Sequence, residues 1–342
     1  MSAQLGAFKI VHFVVFAHLY EASLAWLYSK KSKQKEQDME NTENSARVHT
    51  DLACERMRAD TALEGVEYSE SEEDGCRIAR LTVTSDEGAK SIGRPKGRYV
   101  TMSFSPLYEL TDDTLSSLSS LLSRLIGEFV SALDGKVGSV LAVGLGNRYM
   151  TSDAVGPESI REMLATRHLF LEDPELFAGY SDVVLSLLSP GVMAQTGIES
   201  RLLVEGAVKA IQPDLVIVID ALAARSTDRL ATTIQLSDTG IRPGSGIGNS
   251  RLAIDREALG VPVLAIGIPT VVDSRTLVYD ALERAGATED TMPPRLYEVL
   301  AEGESFFVSP RQMDTVTERA ARLVADAVNL TFSAGFLKAA EQ

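Results

Sequence analysis

From residue 138 onward, short apolar runs alternate with amphipathic stretches. Residues 140–144, 183–188, 215–219, 232–236 and 263–268 are apolar, largely β-branched runs of strand length, while 156–169, 197–211 and 273–285 carry apolar residues at helical spacing. That rhythm predicts an α/β fold, a parallel or mixed sheet covered by helices on both faces. Residues 113–133 predict one covering helix, and 313–330 a closing helix with Val316, Ala320, Leu323, Val324 and Ala327 on one face. Upstream, 78–83 and 98–104 alternate as strands do and predict a small antiparallel β element added to the core. The acidic cluster Glu70, Glu72, Glu73 and Asp74 lacks the glycine-punctuated spacing of a calcium loop, so a solvated loop is expected there.

The amino-terminal stretch departs from this pattern. Residues 5–28 are rich in Phe, Val, Leu and Ala and precede Lys30, Lys31, Lys33 and Lys35, as in a signal anchor or an interfacial helix. Lys9, His12, His18 and Glu21 interrupt the run, leaving it short of the roughly 18 to 20 residues a spanning helix needs. A membrane role is therefore not expected unless this leader is functional, and Met39, opening the polar run 40–47, is an alternative start. The chain divides into an apolar leader, 1–38, a linking segment, 39–51, and a globular part, 52–342, with its core from about 136.

Composition narrows the chemistry. A formal net charge of -15 over 342 residues argues against direct nucleic-acid binding, because phosphate contacts need a basic surface. Cys54 and Cys76 are the only cysteines and share no ligand spacing with the four histidines, so no metal, cofactor or disulfide is expected. This is the cysteine usage of a cytoplasmic protein.

Gly144-Leu145-Gly146 follows a strand as a dinucleotide fingerprint would, but the third glycine falls at Tyr149. Asp153 opens an amphipathic run and Asp220 closes the apolar run 215–219. In a parallel sheet both carboxylates would stand over one crevice at the carboxyl ends of the strands. Their ordinary readings are a helix N-cap and a loop-initiating aspartate. As a pair they serve hydrolysis: neighbouring carboxylates repel, one keeps its proton while the other is ionised, and acid and base are then both present. Backbone N–H groups at Gly144, Gly146 and Asn147, or at Gly244, Gly246 and Gly248, are candidates to stabilise an oxyanion. Asp238-Thr239-Gly240 has the letters of a pepsin-like loop but is equally a good turn. His168 is expected to be a packed helical residue.

Taken together, 143–147 (VGLGN), 151–157 (TSDAVGP), 189–193 (SPGVM), 219–225 (IDALAAR), 237–249 (SDTGIRPGSGIGN) and 267–273 (GIPTVVD) resemble the germination protease family of endospore-forming bacteria. The likeness runs from about Arg47 to the end. It implies a core similar to the hydrogenase-maturation endopeptidases, a homotetramer in the cytoplasm of the forespore and spore core, and substrates among the small acid-soluble, DNA-protecting spore proteins. The two catalytic aspartates of the family fall on Asp153 and Asp220; Asp220 is assigned the water-activating role and Asp153 the acid role, with the reverse assignment left open. The maturation enzymes carry a histidine downstream, and Arg242 stands where this chain's closer relatives often show His, which speaks against metal dependence. The resemblance also implies a propeptide, 39–51, removed by self-cleavage between Asp51 and Leu52, since Asp51-Leu52-Ala53-Cys54-Glu55 is similar to the family's substrate sites. The alternatives are a tRNA-handling hydrolase of the peptidyl-tRNA hydrolase type, which needs a basic groove and a nearby histidine, and an inactive relative.

Overall fold

Parallel strands in the middle and antiparallel strands at one flank form a single mixed sheet in the computed structural model. Among the described residues the strands are β1 (Val66–Glu73), β2 (Cys76–Val83), β3 (Gly97–Ser103), β4 (Ser139–Gly144), β5 (Val184–Leu188), β6 (Leu215–Ala224), β7 (Thr233–Ser237), β8 (Val263–Asp273) and β9 (Phe307–Val308). Their order is β1-β2-β3-β7-β8-β6-β4-β5, with β9 paired to β8. The pairs joining β5, β4, β6 and β8 are parallel, and those joining β8, β7, β3, β2 and β1 are antiparallel. The structure describes residues 50–56, 63–244, 252–287, 291, 296, 299 and 306–340. These belong to one unit, His49–Gln342. The apolar leader, the expected propeptide up to residue 49, Gly246 and Gly248 lie outside the described residues.

Strand periodicity sorts the core into two layers. Among the described residues the helices of eight residues or more are α1 (Asp112–Ser131), α2 (Val155–Glu162), α3 (Ser200–Ile211), α4 (Ser274–Arg284) and α5 (Met313–Phe332). Val140, Ala142, Ile217, Ile219, Leu264 and Ile266 face α1 and α5 in one cluster. Their sequence neighbours Leu141, Val143, Val216, Val218 and Val263 face Val204 and Val208 of α3 on the other side. Successive strand side chains point to opposite faces, so a continuous apolar run is what a sheet covered on both faces requires. In α1 the buried stripe Leu115, Leu118, Leu122, Leu125 and Phe129 keeps helical spacing. Each fully buried side chain of this kind contributes about 2 kcal/mol. Thr111 accepts the Thr114 N–H at 3.2 Å and caps the start of α1.

Three expectations need correction. The acidic cluster is not a loop: Glu70, Glu72 and Glu73 lie in β1, whose inner residues are exposed on both faces, so no apolar alternation marks it. Its hairpin turn is Asp74-Gly75, with φ of 51° and 75°, the left-handed pair that two-residue hairpins favour. The helix expected over 156–169 stops at Glu162 because Asn329 of α5 draws the chain aside. Asn329 Oδ1 accepts the Leu164 N–H at 2.9 Å. Finally, β6 does not end at Asp220 but runs on to Ala224, since β8 keeps pairing with it after β4 has stopped.

The β1–β2 hairpin is tied to α1 by charge. Glu73 accepts from Arg124 at 2.8 Å and from Arg80 at 2.9 Å. The Arg124 and Arg80 guanidinium groups hold its carboxyl at about 2, down from the ordinary 4.5. A carboxyl whose folded value lies below its unfolded one adds stability above the unfolded value, and that stability fades as pH falls towards the folded value. Glu73→Gln is therefore expected to lower unfolding free energy at pH 7 by on the order of 1 kcal/mol. In urea titrations the gap from wild type should close between pH 4.5 and about 2; a gap unchanged at the acid end would contradict the pairing.

Candidate active site

The turn leaving β4 lies directly on β6. Leu145 donates its N–H to the Ile219 carbonyl at 2.8 Å. A Cβ at Gly144 would sit 2.1 Å from the Gly156 carbonyl oxygen, and one at Gly156 would sit 2.2 Å from that of Leu145. Both positions must lack a side chain for β4, β6 and the start of α2 to approach so closely. From β4 the chain passes through α2, packed in the α1–α5 layer, to β5 on one side. It then passes through α3 on the opposite face to β6 on the other side of β4. Connections that diverge in this way open a crevice at the carboxyl ends of β4 and β6.

Asp153 enters the crevice from a 3-10 turn, Thr151–Asp153. Buried threonines hold this turn at two carbonyls: Thr270 Oγ1 donates to Ser152 at 2.6 Å and Thr317 Oγ1 to Thr151 at 2.9 Å. The carboxylate accepts the Asn147 N–H at 2.9 Å, and the N-cap of α2 is Ala154, so Asp153 is not the cap of that helix. Asp220 rises from β6 one residue beyond the last β4 pairing, Gly144 with Ile219. It is 5% exposed, and its carboxylate accepts the Ala221 N–H at 2.9 Å.

Both carboxylates line one cavity of about 140 Å³, together with Asp51, Gly146, Leu222 and Gly244. Asp51 also borders a larger cleft of about 980 Å³, which shares Leu222 and Arg242 with the smaller one and is lined further by Arg94 and Gln235. The short segment carrying Asp51 is held along its length. Arg94 donates to the Thr50 carbonyl at 2.5 Å. Asp51 donates its N–H to the Ala223 carbonyl at 2.8 Å, and its carboxylate accepts the Ala223 N–H at 3.0 Å. Leu52 is 0% exposed, packed among Leu222, Ala224, Leu230 and Val272. Glu55 accepts from the N–H groups of Arg225 at 2.8 Å and Ser226 at 3.0 Å and from the Thr50 hydroxyl.

The structure thus places Asp153, Asp220 and Asp51 on one cavity. Gly146 and Gly244 line it as well, whereas Gly144 serves the close approach beneath. The Asn147 N–H is engaged by Asp153, and its side-chain oxygen accepts from Gln195 at 2.6 Å. Asp238 is a strap between strands: it accepts the N–H of Arg98 at 2.7 Å and its Nε at 2.8 Å. His168, expected to be packed, is exposed on the short helix Arg167–Glu172. Among the described residues no group of three or more His, Cys, Asp or Glu could hold a metal ion. No helix among them is long and apolar enough to cross a membrane. Thr270, Thr317 and Gln235 are functional neighbours that the sequence pattern did not single out. The available signal was a polar residue inside an apolar strand run, for Thr270 and Gln235.

The sequence model of the germination protease peptidase family matches residues 39–285. The germination protease of Caldanaerobacter subterraneus is 36% identical over 310 residues, covering 84% of this chain and 95% of that protein. That of Priestia megaterium is 36% identical over 347 residues, covering 82% and 92%. That of Bacillus subtilis is 41% identical over 250 residues, covering 70% and 67%. Among solved structures, the [NiFe] hydrogenase maturation protease HycI from Thermococcus kodakarensis is 17% identical with a TM-score of 0.32, covering 60% of this chain and 99% of that one. That score is too low to support residue correspondences. On its matched length and on these identities, the chain belongs to the germination protease family, peptidases of spore germination.

Proposed function

We propose that this peptidase is an aspartic-type endopeptidase, made as a self-processing zymogen, that opens the breakdown of small acid-soluble, DNA-protecting spore proteins. It acts in the cytoplasm of the forespore and spore core as a homotetramer, on protein and without direct contact with nucleic acid. One observation carries this reading: Asp51, the residue before the expected cut, lines the same cavity as Asp153 and Asp220. A segment that resembles substrate and is tethered beside the site has a high effective concentration there. It both blocks the crevice and is the first bond presented to it.

In the proposed reaction Asp220 takes a proton from water as the water oxygen adds to the carbonyl carbon of the bond. Asp153 then gives a proton to the leaving nitrogen as the carbon–nitrogen bond breaks. The products are a carboxyl group on the amino-terminal side and a free amine on the other. In self-processing the new chain start is Leu52. The burial of Leu52 and Ala53 and the clasp on Glu55 keep that start in place while the propeptide departs.

Asp153→Asn and Asp220→Asn should each fold, with an unchanged urea midpoint, and lose about two to four orders of magnitude of activity on a spore-protein substrate. Wild-type rates in either folded variant would remove that residue from the mechanism. Purified Asp220→Asn protein should keep Asp51 joined to Leu52 under conditions where wild type acquires a Leu52 amino terminus by N-terminal sequencing. Efficient maturation of the isolated variant would contradict self-cleavage. Activity should also survive exhaustive chelation, because aspartates and water suffice for this chemistry; loss reversed by added zinc would contradict an aspartate-only site.

A further inference from the structure

We infer that Gln235 is a further catalytic residue, the donor that holds the oxyanion formed at the carbonyl of the bond being cut. This rests on the proposal that the 51–52 bond is hydrolysed over Asp153 and Asp220. Gln235 lies in β7 and is 8% exposed. Its Nε2 donates to the Asp51 carbonyl oxygen at 3.2 Å, and its Oε1 accepts the Ala53 N–H at 2.7 Å. The side-chain amide therefore spans the 51–52 peptide bond as a neighbouring strand would. A backbone N–H can only donate, so the Ala53 bond fixes which end of the amide is oxygen and turns the Nε2 protons towards Asp51.

Sheet register sets the opposite wall. Gln235 pairs with Gly267 of β8, and Gly267 pairs with Asp220 of β6. Residues paired across strands point to the same face, so Gln235 and Asp220 stand on one face two strand spacings apart, about 10 Å. Between them Gly267 has no side chain, and a Cβ there would meet the Leu222 side chain at 2.2 Å. The Leu222 side chain lies over this glycine, with a carboxylate on one side of it and an amide donor on the other. Asp51 borders the cavities of both.

As water adds, its proton goes to the base carboxylate and the carbonyl π pair moves onto the Asp51 oxygen. The Nε2–H of Gln235 already points at that oxygen and strengthens its hydrogen bond as the charge builds. When the carbon–nitrogen bond breaks the oxygen returns to a carbonyl, and Gln235 neither gains nor loses a proton. The Asn147 N–H, the other candidate donor beside the dyad, is engaged by the Asp153 carboxylate.

The test uses the full chain with Gln235→Met, close in size but unable to donate, and Gln235→Glu, which donates only when protonated. Folding is checked by urea midpoint and cleavage by the rate at which the Leu52 terminus appears. Gln235→Met should slow cleavage about 10²–10³-fold. Gln235→Glu should be as slow at neutral pH and recover relative to wild type on acidification, a change that loss of packing would not produce. Wild-type cleavage in folded Gln235→Met, with Asp220→Asn inactive, overturns the role of Gln235 and leaves the dyad intact. Should Gln235→Met not fold, a Gln235→Glu profile parallel to wild type overturns it equally. Wild-type cleavage in Asp220→Asn overturns the dyad and this inference with it.

Discussion

Two backbone positions without side chains, Gly144 and Gly156, set the distance on which the site depends. Their neighbours leave no room for a Cβ, so the end of β4, the start of α2 and the edge of β6 meet in direct backbone contact. The Leu145 N–H to the Ile219 carbonyl closes that contact. A methyl group at either position would have to push the β4 turn away from β6. Asp153 sits on the 3-10 turn that follows, just before α2, and Asp220 on β6, so the separation of the two carboxylates depends on this packing. The threonines at 270 and 317 then fix the turn from β8 and α5, elements far away in the chain. Three parts of the core thus hold the site.

The segment from Thr50 to Glu55 gives this site an occupant. Its bonds differ on the two sides of the Asp51–Leu52 link. Downstream, Leu52 and Ala53 are core residues and the Glu55 carboxylate is satisfied by backbone donors at Arg225 and Ser226. Upstream, Thr50 and Asp51 are held by Arg94, Ala223 and Gln235 at the border of open space. A cut between them would part Thr50 and Asp51 from the core residues that follow. The proposed maturation by a single cut accords with that difference, and the groups it would vacate, an arginine, a strand edge and an amide, suit an extended acidic peptide.

Much of this was legible in the chain. The apolar runs at β4, β6 and β8 and the helical stripes of α1 and α5 are long and periodic, and they yield the layers on both faces. The two aspartates stand out where an amphipathic run opens and an apolar run closes, positions that a parallel sheet brings to one edge. β1 is not legible, since exposure of both its faces erases alternation and leaves only the Asp74-Gly75 turn as a sign. The extension of β6 past Asp220 is hidden because Ala-Leu-Ala-Ala has little strand preference and is held there by β8. Pattern marks Gln235 only as a polar residue in an apolar strand run; its partners lie more than 180 residues away, and only sheet register joins them.

Maturation in oxygen-18 water tests the account most directly, because on this account each chain is cut once and any label records which group met the water. With Asp220 and Asp153 acting on water, mass spectrometry should find one heavy oxygen in the new carboxyl group at Asp51 and none in the side chains of Asp153 or Asp220. Heavy oxygen in either of those side chains after a single cut would mean that an aspartate had attacked the bond itself, and would contradict the division of acid and base work on which this account rests.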